Sequence, residues 1–436
     1  MNDAASQPMP GDATLAPPSR GSLLVIFLTV FIDLLGFGMV LPLLPLYARR
    51  FGVDEHGWEL GLLMASFSAM TFLFAPLWGR LSDRIGRRPV IVVGLAASAV
   101  FYGVFGLAAT VGGQAGLAWL FFARIGAGIA AGTIPTAQAY IADVTPVGKR
   151  TKGMALIGIA FGLGFTFGPL IGYAALVFSK SESEIATSPW PGYAAAMLSG
   201  LACLLALALL PESLRPGKRT EHHSFFDWRG WSDALHTPSI PAILITAFVS
   251  VVSFGAYETT LALLLNSSRF GFRFEQILLY FAFIGLTLSV TQGALVRPLA
   301  SRVSEVMMAT AGVFVTILGF LLLSLATQQS RLPLLIIASA VEVTGFSLIT
   351  PSVQSLVSRR SDPAKQGGIL GVSQGTSALA RVVGPLIAVP LFFRSPEWPY
   401  YAAIAMMAVA LAVFLLFARH GKDYGTTDAA SELPSL

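Results

Sequence analysis

Apolar runs of about twenty residues, each closed by charge or by a Pro/Gly cluster, succeed one another along nearly the whole chain. As a helix, a run of that length crosses hydrocarbon about 30 Å thick. Twelve are predicted, near 23–47, 58–78, 89–109, 117–142, 153–178, 192–211, 239–265, 275–297, 305–327, 332–357, 367–393 and 398–418. Lipid offers no partner to a backbone N–H or C=O, so each span is expected to satisfy its own backbone as a helix. The predicted fold class is an all-α membrane protein with twelve transmembrane helices. An even number of spans puts both chain ends on one side.

The pattern also repeats. Pro135-x-x-Gln138 in span 4 returns as Pro351-x-x-Gln354 in span 10, and Gly168-Pro169-Leu170-Ile171 in span 5 returns as Gly384-Pro385-Leu386-Ile387 in span 11, at one common offset. Two matches at a single offset point to a duplication, two pseudo-symmetric six-helix bundles. The predicted division is a disordered cytoplasmic tail (1–22), an N-terminal bundle (23–211), a linker (212–238), a C-terminal bundle (239–418) and a cytoplasmic tail (419–436). The linker mixes Arg215, Lys218, Arg219 and Arg229 with Phe225, Phe226, Trp228 and Trp231, which suits a short helix lying in the membrane interface.

Composition agrees, with 55% hydrophobic and 12% charged residues where a soluble domain carries about 25% charge. Mean hydropathy is +0.72. A net charge of +5 raises the question of nucleic acid, but the basic residues sit in short connectors, where insertion topology accounts for them. Their densest stretch is GRLSDRIGRR at 79–88, and most of the 28 Lys and Arg fall on the same side as that loop. Clustered arginine marks the cytoplasmic face, so both termini are expected in the cytoplasm, and the membrane is expected to be a plasma or bacterial inner membrane. Cys203 stands alone in an apolar run, and the five histidines lie in connectors or near span ends, so no disulfide, metal site or cofactor is implied. No GxxxxGK[ST] loop for a nucleotide occurs.

Five ionisable residues fall inside spans: Asp33, Arg124, Glu258, Glu342 and Arg381. Each costs about 2.5–3.5 kcal/mol at a helix centre by insertion scales, so they are expected to face a cavity or one another. Thr29, Asp33 and Gly36 share one face of span 1, and Arg124, Gly128, Ala131, Pro135 and Gln138 form a small and polar stripe on span 4. Low dielectric favours a neutral carboxyl and a nearby guanidinium favours the charged one. A movement that parts Asp33 from Arg124 would therefore switch proton affinity. The structural alternative is a permanent ion pair holding spans 1 and 4 together, although residue counting places Arg124 nearer the outer face than Asp33. Glu342 and Arg381, both mid-span, make a second candidate pair, either lining the substrate cavity or tying spans 10 and 11. Glu258, in the outer third of span 7, is a candidate substrate or ion contact, and Gln138 and Gln354 are further cavity candidates. Gly164, Gly168 and Gly172 line one face of span 5 beside Pro169, a spacing that serves either close packing or a pivot between the halves.

Several stretches carry a resemblance. Gly79, Asp83, Arg84, Gly86, Arg87 and Arg88 in the basic loop, RIGAGIAA at 124–131, GFTFGPLIG at 164–172, FIDLLGFGMVLPLLPLY at 31–47 and Ala142-Asp143 resemble the major facilitator superfamily. Within it they are similar to twelve-span drug:proton antiporters of the tetracycline-exporter type, most closely in the first half. The resemblance implies a span 1 acid at Asp33, a proton-coupling arginine at Arg124 and an antiporter hinge at Gly168-Pro169. It also implies a cytoplasmic charge relay of Asp83, Arg87 and Asp143 that latches an outward-open state, with Asp83 at the N-terminus of span 11, where free N–H groups favour an anion. The second copy of the loop is degraded: Leu299 and Arg302 remain, but Ser301 and Ser304 stand where Asp83 and Gly86 would be. Spans 3 and 9 lack the further acids that such exporters use with a metal–drug chelate, so a chelated tetracycline is not the expected cargo.

The expected function is secondary active transport by alternating access. Its form would be proton-coupled efflux of a small lipophilic or cationic compound, driven by the proton gradient and carried out by a monomer in the bilayer. One rival is proton-linked or facilitative uptake of a metabolite. A rival of another class is a receptor or scaffold that moves nothing. An enzyme is not expected, since acids and histidines at metal-ligand spacing are missing.

Overall fold

The computed structural model describes residues 20–53, 56–145, 150–176, 178–179, 188–214, 228–300, 302–362, 365–418, 421 and 423. The two predicted tails for the most part, Lys149, and the linker residues 215–227 lie outside the described residues. Twelve helices are long and apolar enough to cross a membrane: Ser22–Arg50, Trp58–Ile85, Arg87–Val111, Gly113–Val144, Leu156–Leu176, Trp190–Leu209, Ile240–Asn266, Phe274–Leu299, Glu305–Gln329, Leu332–Arg360, Gly368–Arg394 and Trp398–Phe417. They are numbered spans 1 to 12, and each predicted run falls on one of them. From the linker, a short helix at Trp228–His236 leads into span 7.

Three spans are interrupted in ways that hydrophobic periodicity does not reveal. Span 1 ends its first helix at Val40 and resumes at Leu44–Arg50, because Pro42 and Pro45 withhold backbone N–H groups. Span 4 breaks between Gly113–Ala131 and Ile134–Val144, just before Pro135. At that bend span 2 supplies extra donors, with Thr71 Oγ1 donating to the Gly128 carbonyl at 3.0 Å and Trp78 Nε1 to the Ile129 carbonyl at 2.7 Å. Span 8 widens into a π turn over Thr291–Val296.

The two halves join along spans 2 and 11 and along spans 5 and 8, with the Leu44–Arg50 helix reaching span 7. Gly285 marks the tightest crossing: a Cβ there would lie 2.4 Å from the Phe165 carbonyl oxygen and 2.6 Å from the Thr166 nitrogen. Gly61 lies against the Pro385 backbone, and Gly57 lies under Phe393 and Val389. Tyr47 completes this seal, its ring on Phe105 and Phe274 and its hydroxyl donating to the Ser188 carbonyl. Gly57, Gly61 and Tyr47 belong to the end of the bundle opposite the basic loop, whereas the Gly285 crossing lies near mid-span. Closer to the basic end the halves touch where Gly162 meets Ser289 and Gly375 meets Phe72. Beyond them Gly79, Gly158, Gly293 and Gly371 have open space where a side chain would go, and Leu73, Leu77, Ile159 and Leu295 are exposed. The halves thus meet at the far end and part toward the basic end, leaving a vestibule between them.

Each half is tied separately at the basic end. In the first, Arg87 pairs with Asp83, reaches Asp143 Oδ2 at 3.4 Å and donates to Ser82 Oγ at 2.6 Å. Glu212, at the end of span 6, accepts from the backbone N–H groups of Arg87 at 2.9 Å and Arg88 at 3.1 Å, so that its carboxylate caps span 3. The cap presses on Gly86, whose φ of +110° is a conformation that glycine adopts without strain. In the second half Arg359 pairs with Glu305 at 2.7 Å and with Asp423 at 2.6 Å.

Two expectations follow for thermal unfolding of the purified chain. Gly285→Ala should destabilise by about 1–3 kcal/mol through overpacking, whereas Gly371→Ala, in open space on span 11, should stabilise by about 0.5–1 kcal/mol through helix propensity. Equal shifts for the two would contradict the tight crossing. Glu212→Ala should cost about 0.5–2 kcal/mol as a lost helix cap, and Glu212→Asp should not restore it if both backbone bonds require the longer side chain.

Candidate functional site

Asp33 lies half-buried midway along span 1, one turn beyond the fully buried Thr29, whose hydroxyl is spent on the Val25 carbonyl. Its partner is a hydroxyl: Ser199 Oγ of span 6 donates to Oδ1 at 2.7 Å. Ser98 and Tyr102, one turn apart on span 3, complete its surroundings. Gly36 allows the Tyr102 ring this close, since a Cβ there would lie 3.1 Å from the ring. Arg124 is buried, and no ion pair joins it to Asp33. Its guanidinium instead lies 4.5 Å from the centre of the Phe67 ring, a cation–π contact, and its Nε has no hydrogen-bond partner. Tyr102 feels the charge of both residues.

The second half contributes Glu258 and Arg381. Glu258 is half-buried, and both Arg381 and Arg124 act electrostatically on it, so its charge is shared across the two halves. Arg381 is exposed although it lies mid-span, which places it on the vestibule. The expected pairing of Glu342 with Arg381 does not form: Glu342 is fully buried, neither carboxyl oxygen has a partner, and Arg381 works with Glu258 instead. Adjacent spans allowed the pairing, but helix rotation points the two side chains apart. Aromatic rings frame the centre, Phe37 against Phe67 and Phe165 on the first half and Phe254 stacked on Phe346 at 4.0 Å on the second.

The remaining candidates lie elsewhere. Gln138 is half-buried in the second segment of span 4, and Gln354 is exposed on a small cleft of mixed lining that includes Ser250, Ile349, Val353 and Ser377. Gly164, Gly168 and Gly172 face span 1, and Gly172 also borders the other half: a Cβ on Gly168 would lie 2.7 Å from the Leu35 carbonyl, and one on Gly172 would lie 2.7 Å from Met39 Cγ and 3.5 Å from Leu278 Cδ2 of span 8. The closest contact between halves uses the opposite face of span 5, where Phe165 and Thr166 meet Gly285 and Ser289. Asp83, Arg87 and Asp143 form the basic-end cluster described above, Arg84 is exposed beside it, and Arg88 donates to the Leu207 carbonyl at 2.5 Å. Sequence reasoning missed Ser98, Tyr102, Ser199 and Glu212. The i, i+4 spacing of Ser98 and Tyr102 was a legible signal in a span read only for its lack of acids.

The sequence model of the Major Facilitator Superfamily matches residues 26–385 and 294–435. A tetracycline resistance protein, class C, of Escherichia coli is 31% identical over 90% of this chain and 95% of its own length. Major facilitator superfamily domain-containing protein 10 of Bos taurus is 30% identical over 93% of this chain and 95% of its own. The crystal structure of the human organic anion transporter MFSD10 superposes with a TM-score of 0.66 at 26% identity, covering 92% of this chain and 100% of that one. Matched along nearly its whole length in sequence and fold, the chain belongs to the Major Facilitator Superfamily and is a multi-pass membrane transporter of twelve spans.

Proposed function

We propose that this transporter is a proton-coupled antiporter that exports a small lipophilic or cationic compound, with Asp33 as the group that exchanges the proton. The observation that carries the reading is the company Asp33 keeps. A guanidinium at contact distance would hold a carboxylate charged throughout a cycle. The Ser199 hydroxyl instead donates to the carboxylate and can accept from the protonated acid, so it serves both states. Arg124, held on Phe67 and not paired with Asp33, is the group whose approach would expel the proton. With the termini in the cytoplasm of a plasma or bacterial inner membrane, the vestibule at the basic end is open inward and takes cargo from that side. The aromatic frame of Phe37, Phe67, Phe254 and Phe346 suits an apolar or cationic molecule. The proton gradient is the energy source, no cofactor takes part, and the working unit is the monomer.

A second reading concerns cargo charge. Arg124 and Arg381 bring two guanidinium groups toward one centre from opposite halves, with Glu258 the acid they share. A solved relative is described as an organic anion transporter. In that reading an anion displaces Glu258 from its arginines.

Everted membrane vesicles separate these readings, using a lipophilic cationic dye and an aromatic carboxylate as probes. An acid interior should drive accumulation of the dye, and Asp33→Asn should abolish that drive, a loss of about 5- to 150-fold, the range of ordinary coupling energies. Undiminished gradient-driven accumulation in Asp33→Asn would remove Asp33 from the mechanism. Arg381→Gln should leave dye accumulation within about threefold, below the lower end of that coupling range. A selective loss of carboxylate transport in the same variant would favour the anion reading instead.

A further inference from the structure

Behind the vestibule, the C-terminal bundle encloses a polar cluster that the reading above does not use. Glu342 lies at its centre, 0% exposed, with no hydrogen-bond partner on either carboxyl oxygen. Span 9 presses directly on it: a Cβ on Gly319 would lie 2.6 Å from Glu342 Cα and 2.8 Å from its Cβ, and Thr316 on the same helix has an unpartnered hydroxyl. Span 7 contributes Tyr257 and Glu258, span 8 contributes Tyr280, and span 12 contributes Tyr400. Tyr280 is hydrogen-bonded to Ser339 at 2.8 Å and donates to the Leu335 carbonyl at 3.1 Å. The hydroxyls of Tyr257 and Tyr400 have no partner, with Ser339 and Thr260 respectively beside them. Tyr400 stacks on Phe320, and Glu397, at the start of span 12, bears on Tyr400. The charge that reaches Glu342 is the negative one of Glu258. Among the described residues no Lys, Arg or His pairs with it.

An ionised carboxylate in such a place would be an uncompensated buried charge, which costs several kcal/mol. The neutral acid carries no such cost and can use its O–H toward the surrounding hydroxyls. A metal cation would need several oxygen ligands and room around it, and among the described residues no group of three His, Cys, Asp or Glu side chains gathers to hold one. A proton needs none.

We propose that Glu342 is a second proton-binding site, in the C-terminal bundle and separate from Asp33, loaded in the conformation seen here and exchanging with Glu258. On release the Glu342 O–H bond breaks, its proton passes to the Glu258 carboxylate, and a carboxylate remains at Glu342; reloading reverses the transfer. With both groups ionised, a Glu342 carboxylate with no cation of its own would face the like charge of Glu258 in low dielectric, so one proton is kept between them. Arg124 and Arg381, which bear on Glu258, decide which of the two holds it. The site goes beyond the antiport reading, since its occupancy belongs to the resting protein and requires no particular cargo.

Infrared difference spectroscopy on the full chain in lipid nanodiscs tests this directly. The wild type near neutral pH should show a protonated carboxyl C=O band that Glu342→Gln lacks and Asp33→Asn keeps, and alkaline pH should remove the band reversibly. The same band persisting in Glu342→Gln, or resisting alkaline pH, would overturn the proposal. So would a band displaced by sodium chloride but not by choline chloride at fixed pH, which would mark a metal site. Should Glu342→Gln fail to fold, isotope-labelled glutamate in Glu258→Gln protein gives the answer: a shifted band supports Glu342 and an unshifted band excludes it. Loss of gradient-driven transport in vesicles with the band intact would sink the antiport reading and leave the buried site standing.

Discussion

Hydrocarbon solvates neither an open backbone group nor a charge, and most of this architecture is a response to that limit. Backbone polarity is disposed of first, by winding nearly every described residue of the spans into helix and, at the bend in span 4, by bringing donors across from a neighbour. The bend in span 4 shows the second device, Thr71 and Trp78 reaching over from span 2 to the carbonyls of Gly128 and Ile129. Charge is disposed of by turning it inward. Asp33, Arg124, Glu258, Glu342 and Arg381 all face protein or the vestibule, and each has its own solution: a hydroxyl, an aromatic ring, a guanidinium shared across halves, or complete enclosure.

The duplication is deeper than the repeated letters. By the repeat offset Asp143 corresponds to Arg359, and by alignment of the basic loop with its degraded copy Arg87 corresponds to Glu305. In the first half Arg87 reaches Asp143; in the second Arg359 reaches Glu305. The same two positions bind each other in both bundles with the signs exchanged. A comparison of residue types sees a lost motif there, while a comparison of charge products sees a conserved attraction. The pair draws the end of span 4 or span 10 onto the start of span 3 or span 9, so each bundle moves as one body at its basic end.

The spans and their number were legible because burial in lipid leaves a long, unbroken apolar signal that needs no partner to be read. The family was legible for a related reason: its signatures sit in loops and stripes whose spacing survives without tertiary information. What stayed hidden depended on helix rotation. Glu342 and Arg381 lie on adjacent spans at similar depth, and only the packing of Gly319 against Glu342 shows that the acid turns into the bundle while the arginine turns out. On sequence alone the glycine stripe of span 5 serves either close packing or a pivot, and small residues announce a close neighbour without saying which. Here that neighbour is span 1, and the closest approach between halves is made by Gly285, which no motif singled out. Glu212 was invisible because a cap is defined by the backbone it reaches, and that backbone is far away in sequence.

For the proposed alternating access the two halves would part along one end while staying in contact elsewhere, and the residues at the cross-contacts nearer the basic end suit that task. Gly162 faces Ser289 and Thr166 lies 3.3 Å from Ser289, so small residues and hydroxyls meet there. Such groups exchange one partner for another at little cost, whereas an ion pair or interlocked aromatic rings at the same place would resist separation. The aromatic weight sits instead at the far end, where Tyr47 bears on Phe105 and Phe274. The π turn of span 8 begins two residues past Ser289, at Thr291. A π turn carries its carbonyls out of register with α-helical bonding and is a natural place for a helix to bend. Span 8 can therefore bend just past its Ser289 contact with span 5, closing the vestibule without sliding Gly285 out of its seat against Phe165.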